Sequence, residues 1–244
     1  MIPAEMHDHA AILITGANGF IGRAVVRLLQ NSNQKLVLLD HHSASAPAVS
    51  TFATTFACDI ADPLHLRRIF EAERIASIIH LAAILPTAAS KDPSRATRVN
   101  VLGSLNLLEM AREFRIPRFV FGSSLSVYGT CRIDQVVNEN FRAAPEDVYG
   151  AAKLYVEQIG RAYANLNGLE FVSLRIGRVI GAGAQSTTSA WRSQIFELLR
   201  NHRPATIHIP CPATERLLLA HVNDVARALL QLLRAPRPEH DVYN

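Results

Sequence analysis

Two side chains on one predicted helix are suited to acid–base chemistry. Tyr149 and Lys153 are four positions apart at the start of a helical pattern, so they share one face of that helix. The pKa of a free tyrosine, about 10, is too high for a base at neutral pH. A neighbouring ammonium favours the phenolate and lowers that pKa. The pair predicts a base that removes a hydroxyl proton, provided that other elements support it, because such pairs are common by chance on surface helices.

Hydroxyl side chains lie ahead of this helix, at the carboxyl end of a predicted strand, Arg118–Ser123. Ligands of open α/β sheets bind at that end of the strands. Ser124 or Ser126 is therefore placed to hydrogen-bond a reacting oxygen and to stabilise charge that develops on it. The alternative is that serine and glycine here only form the turn.

A glycine-rich turn near the start of the chain predicts a dinucleotide site. The apolar run Ala11–Thr15 predicts a buried strand, after which glycines recur at Gly16, Gly19 and Gly22, where a helical pattern begins. Backbone N–H groups and the positive end of a helix dipole attract a pyrophosphate at such a turn. Asp40 ends the next predicted strand, 24 residues after Gly16, where a ribose-binding acid is expected.

The residues around Asp40 favour NAD over NADP as the cofactor. A carboxylate accepts hydrogen bonds from both ribose hydroxyls and repels a 2′-phosphate. The following residues, His41, His42 and Ser43, include no arginine to receive that phosphate. A protonated His41 or His42 would weaken the preference.

Strands and helices alternate along most of the chain, which predicts βαβ units and a parallel sheet covered on both faces. The fold class is therefore α/β, a doubly wound parallel sheet (Rossmann fold) with a small C-terminal substrate lobe. The predicted strands are Ala11–Thr15, Lys35–Asp40, Thr55–Asp59, Ser77–Ala82, Arg118–Ser123 and Glu170–Ile176. The predicted helices between them are Gly22–Asn31, Pro63–Arg74, Ser94–Arg115 and Val148–Leu166.

The sequence changes character after residue 176, which divides it into a cofactor-binding domain, 1–176, and a substrate-binding lobe, 177–244. We expect this lobe to return to the sheet and to be incomplete at its C-terminus, with Gly181–Ser189 as the least ordered internal segment. The remaining predicted elements are a helix at Trp191–Asn201, strands at Ala205–Ile209 and Leu217–Ala220, and a helix at Val222–Leu233.

Composition limits the class of protein and its partners. The chain has 244 residues, is 49% hydrophobic and has a formal net charge of +4, without a run of Lys and Arg, so no nucleic-acid partner is expected. Its apolar runs are strand-length, so no membrane partner is expected either. The three isolated cysteines and the absence of a signal peptide favour the cytoplasm. Ten histidines without ligand spacing predict no metal site, and His7 and His9 at the terminus do not change this.

These motifs, in this order, resemble the extended short-chain dehydrogenases/reductases, also called the NAD-dependent epimerase/dehydratase family. The resemblance covers residues 11–181. The matching elements are Thr15-Gly16-x-x-Gly19-x-x-Gly22, Asp40, Asp59-Ile60, His80-Leu81-Ala82-Ala83, Asn100, Ser123-Ser124-x-Ser126-Val127-Tyr128-Gly129, Tyr149-x-x-x-Lys153 and Leu174-Arg175.

The resemblance implies roles for these residues. Ser124, Tyr149 and Lys153 would be the catalytic triad, and Ser126 would line the substrate side. The implied cofactor-binding residues are Gly16, Asn18, Gly19, Phe20, Ile21, Gly22, Asp40, Asp59, Ile60, Leu81, Ala82, Ala83, Asn100, Tyr149 and Lys153.

Two of these motifs also have a purely structural interpretation, and the family resemblance adds an expectation about the oligomeric state. Asp59 would otherwise be only a helix cap before Pro63. His80 is more readily a satisfied core histidine than an acid–base group. The helices Ser94–Arg115 and Val148–Leu166 carry apolar positions on more than one face, which would belong either to the core alone or to a dimer interface, as in many members of the family. A homodimer is expected.

The second lobe departs from the pattern of sugar-nucleotide epimerases. Such epimerases usually have asparagine where this chain has Arg178, and arginine where it has Leu217. The sequence of this lobe more closely resembles sugar-acid dehydrogenases of the erythronate type. Arg178, Arg192 and Arg216 would then hold a carboxylate. The predicted function is NAD-dependent oxidation of a secondary hydroxyl of a sugar or sugar acid. The alternatives are a UDP-sugar 4-epimerase that uses bound NAD and a non-catalytic NAD-binding sensor or scaffold.

Overall fold

The computed structural model describes residues 10–42, 52–132, 134–184, 191–200, 206–209, 212 and 214–244. Within these ranges the chain forms one large parallel sheet with helices on both faces, which confirms the predicted doubly wound fold. The strands of the large sheet are β1 Ala11–Thr15, β2 Leu36–Asp40, β3 Ala53–Ala57, β4 Ile75–His80, β5 Arg118–Ser124, β6 Glu170–Ile176 and β9 Val242–Tyr243. They lie in the order β3-β2-β1-β4-β5-β6-β9.

The strand order reverses between β1 and β4, and this reversal locates the ligand crevice. From β1 the chain proceeds outward to β2 and β3, then crosses back to β4 on the other side of β1. The connections therefore leave the carboxyl ends of β1 and β4 in opposite directions and open a crevice between them. Thr15 and His80 are aligned across this point.

The helices begin at residues that the local sequence favours. Asp62 caps its helix by accepting N–H groups of that helix's first turn, and a proline occupies the first helical position. Asp147 caps a longer helix, which ends at Gly168 in the left-handed conformation (φ +67°). The helices are α1 Phe20–Leu29, α2 Pro63–Ala72, α3 Pro86–Lys91, α4 Pro93–Thr97, α5 Ser104–Glu113, α6 Val148–Asn167, α7 Trp191–Arg200 and α8 Val222–Arg234.

Each face of the large sheet has its own apolar core. On one face the sheet packs against α2, α5 and α6, with Phe119 and Phe121 fully buried among them. On the other face α1 and α8 pack side by side, and their residues Leu29 and Leu229 are buried in the second core. The two cores together fix the positions of the strand ends.

Some predicted elements differ from the structure. The expected continuous helix Ser94–Arg115 is α4, a π-helical segment at Arg98–Gly103 and then α5. The short helix α3 was not predicted, because its Ala, Ser and Thr residues carry little apolar periodicity. The expected strand Ala205–Ile209 is wrong where it is described, since 206–209 is not a strand, and its first residue lies outside the described residues.

A small second sheet follows β6. It pairs β7, Arg178–Ile180, with β8, Leu219–His221, in parallel. The chain then returns to the large sheet through α8 and β9. The division at residue 176 stays a prediction. The loop Gly181–Ser189, which we expect to be the least ordered internal segment, lies outside the described residues from residue 185 onward.

Arg23 joins α1 to the second region, which consists of the described residues from Gly177 to His221. Its guanidinium donates to the carbonyl oxygen of Asn18 at 2.6 Å and to that of Gly183 at 2.5 Å. The N–H of Gly183 donates in turn to the Ser193 hydroxyl of α7 at 2.8 Å. The glycine-rich turn and the second region are therefore tied to the same side chain.

Two further observations concern the residues that the structure describes. None of their helices has the length and apolar character needed to cross a membrane. No three of their histidine, cysteine, aspartate and glutamate side chains are grouped so as to hold a metal ion.

Candidate active site

The glycine-rich turn lies at the carboxyl end of β1, in the crevice. Gly16 has a φ of +66°, and a Cβ there would lie 2.7 Å from the backbone nitrogen of Ala82. A Cβ on Gly22 would lie 2.2 Å from the carbonyl oxygen of Gly16. The turn therefore needs both glycines to pack against β4 and to let α1 start beside it.

The start of α1 leaves polar groups free for an anion. Gly19 precedes the helix without a side-chain cap, so the first N–H groups, from Phe20 to Gly22, are available. The amide nitrogen Nδ2 of Asn18 is buried with no hydrogen-bond partner among the described residues. Both observations fit a dinucleotide at this turn.

Asp40 lies at the end of β2, beside the turn. Its Oδ2 accepts the N–H of Asn18 at 3.0 Å, and its Oδ1 accepts the N–H of His41 at 2.9 Å. The carboxylate is therefore fixed against the turn, and it lies where the sequence places a ribose acceptor.

A chain of hydrogen bonds crosses the crevice below the turn. The Thr15 hydroxyl lies 2.7 Å from His80 Nδ1, and His80 Nε2 lies 2.8 Å from the Ser104 hydroxyl. Ser104 donates to the carbonyl oxygen of Asn100 at 2.6 Å. His80 is fully buried, and burial followed by the positive charge of Lys153 lowers its pKa to about 3. His80 is therefore a neutral core histidine, as the purely structural interpretation predicts.

Asn100 positions the loop that follows β4. Its amide accepts the N–H of Ile84 at 2.7 Å and donates to the carbonyl oxygen of Ile84 at 2.9 Å. The N–H groups of Leu81 and Ala82 donate to the Thr15 hydroxyl, each at 3.2 Å. Leu81, Ala82 and Ala83 are thus held beside the glycine-rich turn, with Asn100 behind them.

Asp59 and Ile60 follow β3 at the same edge of the sheet. Asp59 accepts the N–H of Ala61 at 2.9 Å. The helix cap is Asp62, so the interpretation of Asp59 as only a cap is wrong. Ile60 is buried, and a Cβ on Gly103 would lie 2.6 Å from its Cγ1, so the π-helical segment packs closely on it.

The serine pair lies where β5 ends. Ser124 Oγ accepts the N–H of Ser126 at 3.1 Å, and the two hydroxyl oxygens are also 3.1 Å apart. The start of α6 approaches closely, since a Cβ on Gly150 would lie 2.4 Å from the Ser126 carbonyl oxygen. This approach places Tyr149 near Ser124, whose hydroxyl acts on the phenol.

The phenol of Tyr149 is buried, and its pKa differs from the expectation. Burial raises the pKa to about 12, the hydrogen bond with Ser124 opposes that rise, and the charge of Asp147 adds to it. The sequence predicted a lowered pKa from the neighbouring ammonium. In the protein alone burial outweighs that ammonium, because Lys153 Nζ lies 5.6 Å from the centre of the Tyr149 ring and is directed elsewhere.

Lys153 reaches under the sheet edge from α6. Its ammonium donates to the carbonyl oxygen of Gly122 at 2.7 Å and lies 4.6 Å from the centre of the Phe121 ring. Burial lowers its pKa to about 7, and the charge of Glu157 opposes this. Tyr149 and Lys153 thus share one face of α6, as predicted.

An ionic group behind Lys153 was not found from the sequence. Glu157 is fully buried and accepts from Arg175 and from the Ser123 hydroxyl. Arg175 also donates to the Tyr128 hydroxyl at 2.5 Å. The spacing of Lys153 and Glu157 on one helix was the available signal, but it is also typical of a solvent-exposed ion pair.

The three arginines proposed for the substrate lie on different elements of the second region. Arg178 starts β7, with Glu215 4.0 Å away, and Arg192 lies in the first turn of α7. The backbone of Arg192 accepts the N–H of Gly181, just beyond β7. Burial, followed by the charge of Arg178, lowers the pKa of Arg192. Arg216 is exposed on the segment before β8, next to Glu215.

Comparison with known proteins identifies the family. The NAD dependent epimerase/dehydratase family matches residues 12–244, and the chain belongs to this family. A UDP-glucose 4-epimerase from Erwinia amylovora is 35% identical over 182 residues, covering 70% of this chain and 54% of the relative. A mitochondrial L-threonine 3-dehydrogenase from Bos taurus is 28% identical over 240 residues, covering 94% of this chain and 61% of the relative.

A solved structure agrees with these relatives. The UDP-glucose 4-epimerase of Thermus thermophilus in complex with NAD superposes with a TM-score of 0.80 at 27% identity, covering 96% of this chain and 76% of that one. The chain spans little more than half the length of the two curated relatives. The cofactor predicted from the sequence, NAD, is the cofactor of this family.

Proposed function

We propose that the protein is an NAD-dependent oxidoreductase that oxidises a secondary hydroxyl of a small substrate carrying an anionic group, with sugar acids as the first candidates. The observation that carries this proposal is the convergence of Ser124, Tyr149 and Lys153 at the carboxyl end of β5. These side chains supply a hydrogen-bond donor, a proton acceptor and a cation around one point of the crevice.

The three residues divide the work of proton removal. Ser124 hydrogen-bonds the reacting oxygen and Tyr149, which keeps the two together. Tyr149 accepts the hydroxyl proton as a phenolate, and the ammonium of Lys153 favours that phenolate. When bound, NAD supplies the hydride acceptor and a positive charge, which offsets the effect of burial on the Tyr149 pKa.

The cofactor is assigned to the crevice between β1 and β4. The N–H groups at the start of α1 and the buried Asn18 amide hold the pyrophosphate. Asp40 accepts from the ribose, and Asp59 with Ile60 flanks the adenine. The loop Leu81–Ala83, held by Asn100, lines the groove. The full set is the one assigned from the family resemblance.

The substrate end is proposed to carry a carboxylate or another anion. The charge of Arg178 acts on Arg192, and Glu215 lies 4.0 Å from Arg178. Two neighbouring arginines are suited to a bidentate anion. Ser126, beside Ser124, contacts the same substrate. Arg216 on the adjoining segment completes the proposed set.

A second candidate is a UDP-sugar 4-epimerase, favoured by the relatives that carry this name. It would use the same three residues but return the hydride to the opposite face of the carbon, so NADH would not be released. A non-catalytic NAD-binding sensor or scaffold is a third candidate, and the intact triad argues against it.

The test is a substrate panel with NAD. The protein is incubated with erythronate and other aldonates, L-threonine or UDP-glucose, and NADH absorbance and sugar products are measured together. Release of NADH with an aldonate supports the proposal, and a changed UDP-sugar without net NADH supports the epimerase. The matched control is Tyr149→Phe, which should bind NAD and give neither signal.

We also propose a homodimer in the cytoplasm. Exposed apolar side chains, Leu102, Tyr155 and Leu166, project from the helices expected at the interface. Cys58 and Cys131 are free thiols, which suits a reducing compartment. Light scattering of the purified protein at several concentrations tests the dimer, and a monomer throughout would rule it out.

A further inference from the structure

A buried ionic cluster lies directly behind the proposed catalytic lysine. Glu157 is one helical turn beyond Lys153 on α6, so the two side chains project from the same face. The Arg175 side chain from β6 meets Glu157 with Nε at 3.0 Å and a terminal nitrogen at 2.7 Å. The Ser123 hydroxyl from β5 donates to the same carboxylate at 2.5 Å. The cluster thus joins α6 to the ends of two central strands.

We propose that Glu157 is a positioning residue for the oxidation: clamped by Arg175 and Ser123, it holds Lys153 as an ammonium directed to the reacting edge of the sheet. This inference rests on the proposed function for its catalytic meaning, whereas the state of Lys153 is measured without any substrate.

The surroundings of Lys153 supply little else to keep it charged. Its hydrogen bond is to a neutral carbonyl oxygen, that of Gly122, and the rings of Phe121 and Tyr149 lie beside it. From β4 it faces His80, which is neutral. Within the described part of the chain, Glu157 is therefore the negative charge that acts on the ammonium, and its effect on the Lys153 pKa opposes that of burial.

The clamp explains why a carboxylate is kept there. A buried charge without partners is costly, whereas Glu157 has two charged hydrogen bonds and a hydroxyl donor. Arg175 is anchored in turn by the Tyr128 hydroxyl. The carboxylate is therefore held in one position, and its field at the ammonium is fixed before any ligand binds.

The decisive experiment is a titration of the lysine side chains by NMR. The sequence has three lysines, Lys35, Lys91 and Lys153, so ¹³Cε-labelled lysine gives three signals, which Lys35→Arg and Lys91→Arg assign. In Glu157→Gln the pKa of Lys153 should fall by about 1 unit or more, since the charge of Glu157 opposes the effect of burial on Lys153 and a nearby opposite charge shifts a pKa by that amount. An unchanged Lys153 titration would overturn the proposal.

A matched control lies on the same two strands. Arg118 and Glu170 form an ion pair at the other ends of β5 and β6. Glu170→Gln removes a carboxylate from an arginine there and should leave the Lys153 titration unchanged. A shift in this control equal to that in Glu157→Gln would show a general effect of charge and overturn the proposal.

Two further variants keep the proposal testable if Glu157→Gln does not fold. If the unpaired arginine prevents Glu157→Gln from folding, Glu157→Gln combined with Arg175→Met removes both charges with similar volumes, which buried pairs often tolerate. Its Lys153 titration should still lie below that of the wild type. Glu157→Asp keeps the charge and should restore most of the wild-type titration, and failure to do so would also count against the proposal.

The activity readout is the pH profile. With a substrate from the panel, the alkaline limb of kcat should move to lower pH in Glu157→Gln by the same amount as the Lys153 titration, and not in Glu170→Gln. If no substrate is turned over, the proposed function fails while the NMR result still decides the state of Lys153. If turnover is found and the alkaline limb does not move, the positioning role fails alone.

Discussion

Thr15 and His80 end neighbouring parallel strands, and the Thr15 hydroxyl lies 2.7 Å from Nδ1 of His80. The directions of the surrounding hydrogen bonds fix the protons. Thr15 accepts from two backbone N–H groups, so its hydroxyl donates to Nδ1. Ser104 donates to the Asn100 carbonyl oxygen, so it accepts from Nε2–H. His80 is therefore a neutral Nε2–H tautomer that ties β1, β4 and the start of α5 together.

Replacing His80 should destabilise the fold. His80→Leu leaves the hydroxyls of Thr15 and Ser104 without their buried partner, which costs about 1–3 kcal/mol of unfolding free energy. Urea denaturation at neutral pH measures the loss. The partly exposed His65 is the control, and His65→Leu should cost much less.

The stability of the wild type should also depend on His80 at acid pH. The pKa of His80 is about 3 in the folded protein, below the ordinary value of 6.5. As the pH falls, the unfolded chain therefore takes up this proton at a higher pH than the folded protein does. Stability is therefore lost as the pH falls from 6.5 towards 3, by up to about 1 kcal/mol per pH unit from this group. His80→Leu should lack this part of the slope. Equal slopes in the two proteins would contradict the assignment.

Tyr149→Phe should abolish oxidation while the cofactor still binds. The phenol is the proposed base, so its loss should reduce kcat at least ~100-fold. Calorimetry should give an NAD affinity within a few-fold of the wild type, because Tyr149 is one of many proposed cofactor contacts and the N–H groups of α1 and Asp40 are unchanged. A Tyr149→Phe variant that oxidises substrate at the wild-type rate would exclude Tyr149 as the base.

The rate of oxidation should rise with pH over the range in which Lys153 is still protonated. Burial raises the pKa of Tyr149 to about 12 in the protein alone, so the phenolate forms only when cationic groups favour it. A profile of kcat/KM against pH reports the free enzyme. A rate that falls from pH 6 to pH 7 would contradict this order of ionisation.

Asp40→Asn should relax the choice of cofactor. The carboxylate lies against the glycine-rich turn through the N–H of Asn18, and it is the ribose acceptor that we propose. Without its charge, the dissociation constant of NADPH divided by that of NADH should fall by about 10-fold, which is a shift in preference towards NADPH. Calorimetry with both cofactors measures this ratio. Asp59→Asn, at the end of the next strand, should leave it unchanged.

Gly22→Ala should damage the turn itself. Its Cβ would lie 2.2 Å from the Gly16 carbonyl oxygen and 2.8 Å from that of Ala17, and neither backbone atom can move freely. We expect a loss of about 1–3 kcal/mol, as for overpacking, together with weaker NAD binding. Thermal unfolding with and without NAD measures both. In Gly177→Ala the new Cβ would meet the flexible end of Leu125 at 3.0 Å, so the loss should be smaller.

The central sheet was predictable because its strands are simple apolar runs with clear ends. Ala11–Thr15 and Glu170–Ile176 have the predicted bounds. In Ala11–Thr15, burial on both faces leaves a nearly continuous apolar run before the glycine-rich turn. The three residues of β7, by contrast, are too short for a pattern to be distinguished from a loop. The placement of Ser124 at the carboxyl edge followed from the predicted strand that precedes it.

The polar groups behind the site were not predictable. Glu157 and Arg175 are 18 positions apart, and their pairing depends on how α6 lies against β6. The pKa of Tyr149 was expected to fall because charge was considered without burial. Sequence spacing indicates which side chains share a face, but the extent to which water is excluded from that face depends on the packed structure.

The π-helical segment Arg98–Gly103 constrains the length of the chain as well as its composition. Its wider turn shifts the helical phase, so that side chains after it are rotated relative to an uninterrupted helix, by about 100° for each residue of displacement. Asn100 can then face Ile84 while Leu107 and Leu108 face the sheet. Deletion of one residue here would restore the ordinary phase, and either the asparagine or the two leucines would turn away. Homologues that keep this loop arrangement should therefore tolerate substitutions in the segment far better than insertions or deletions.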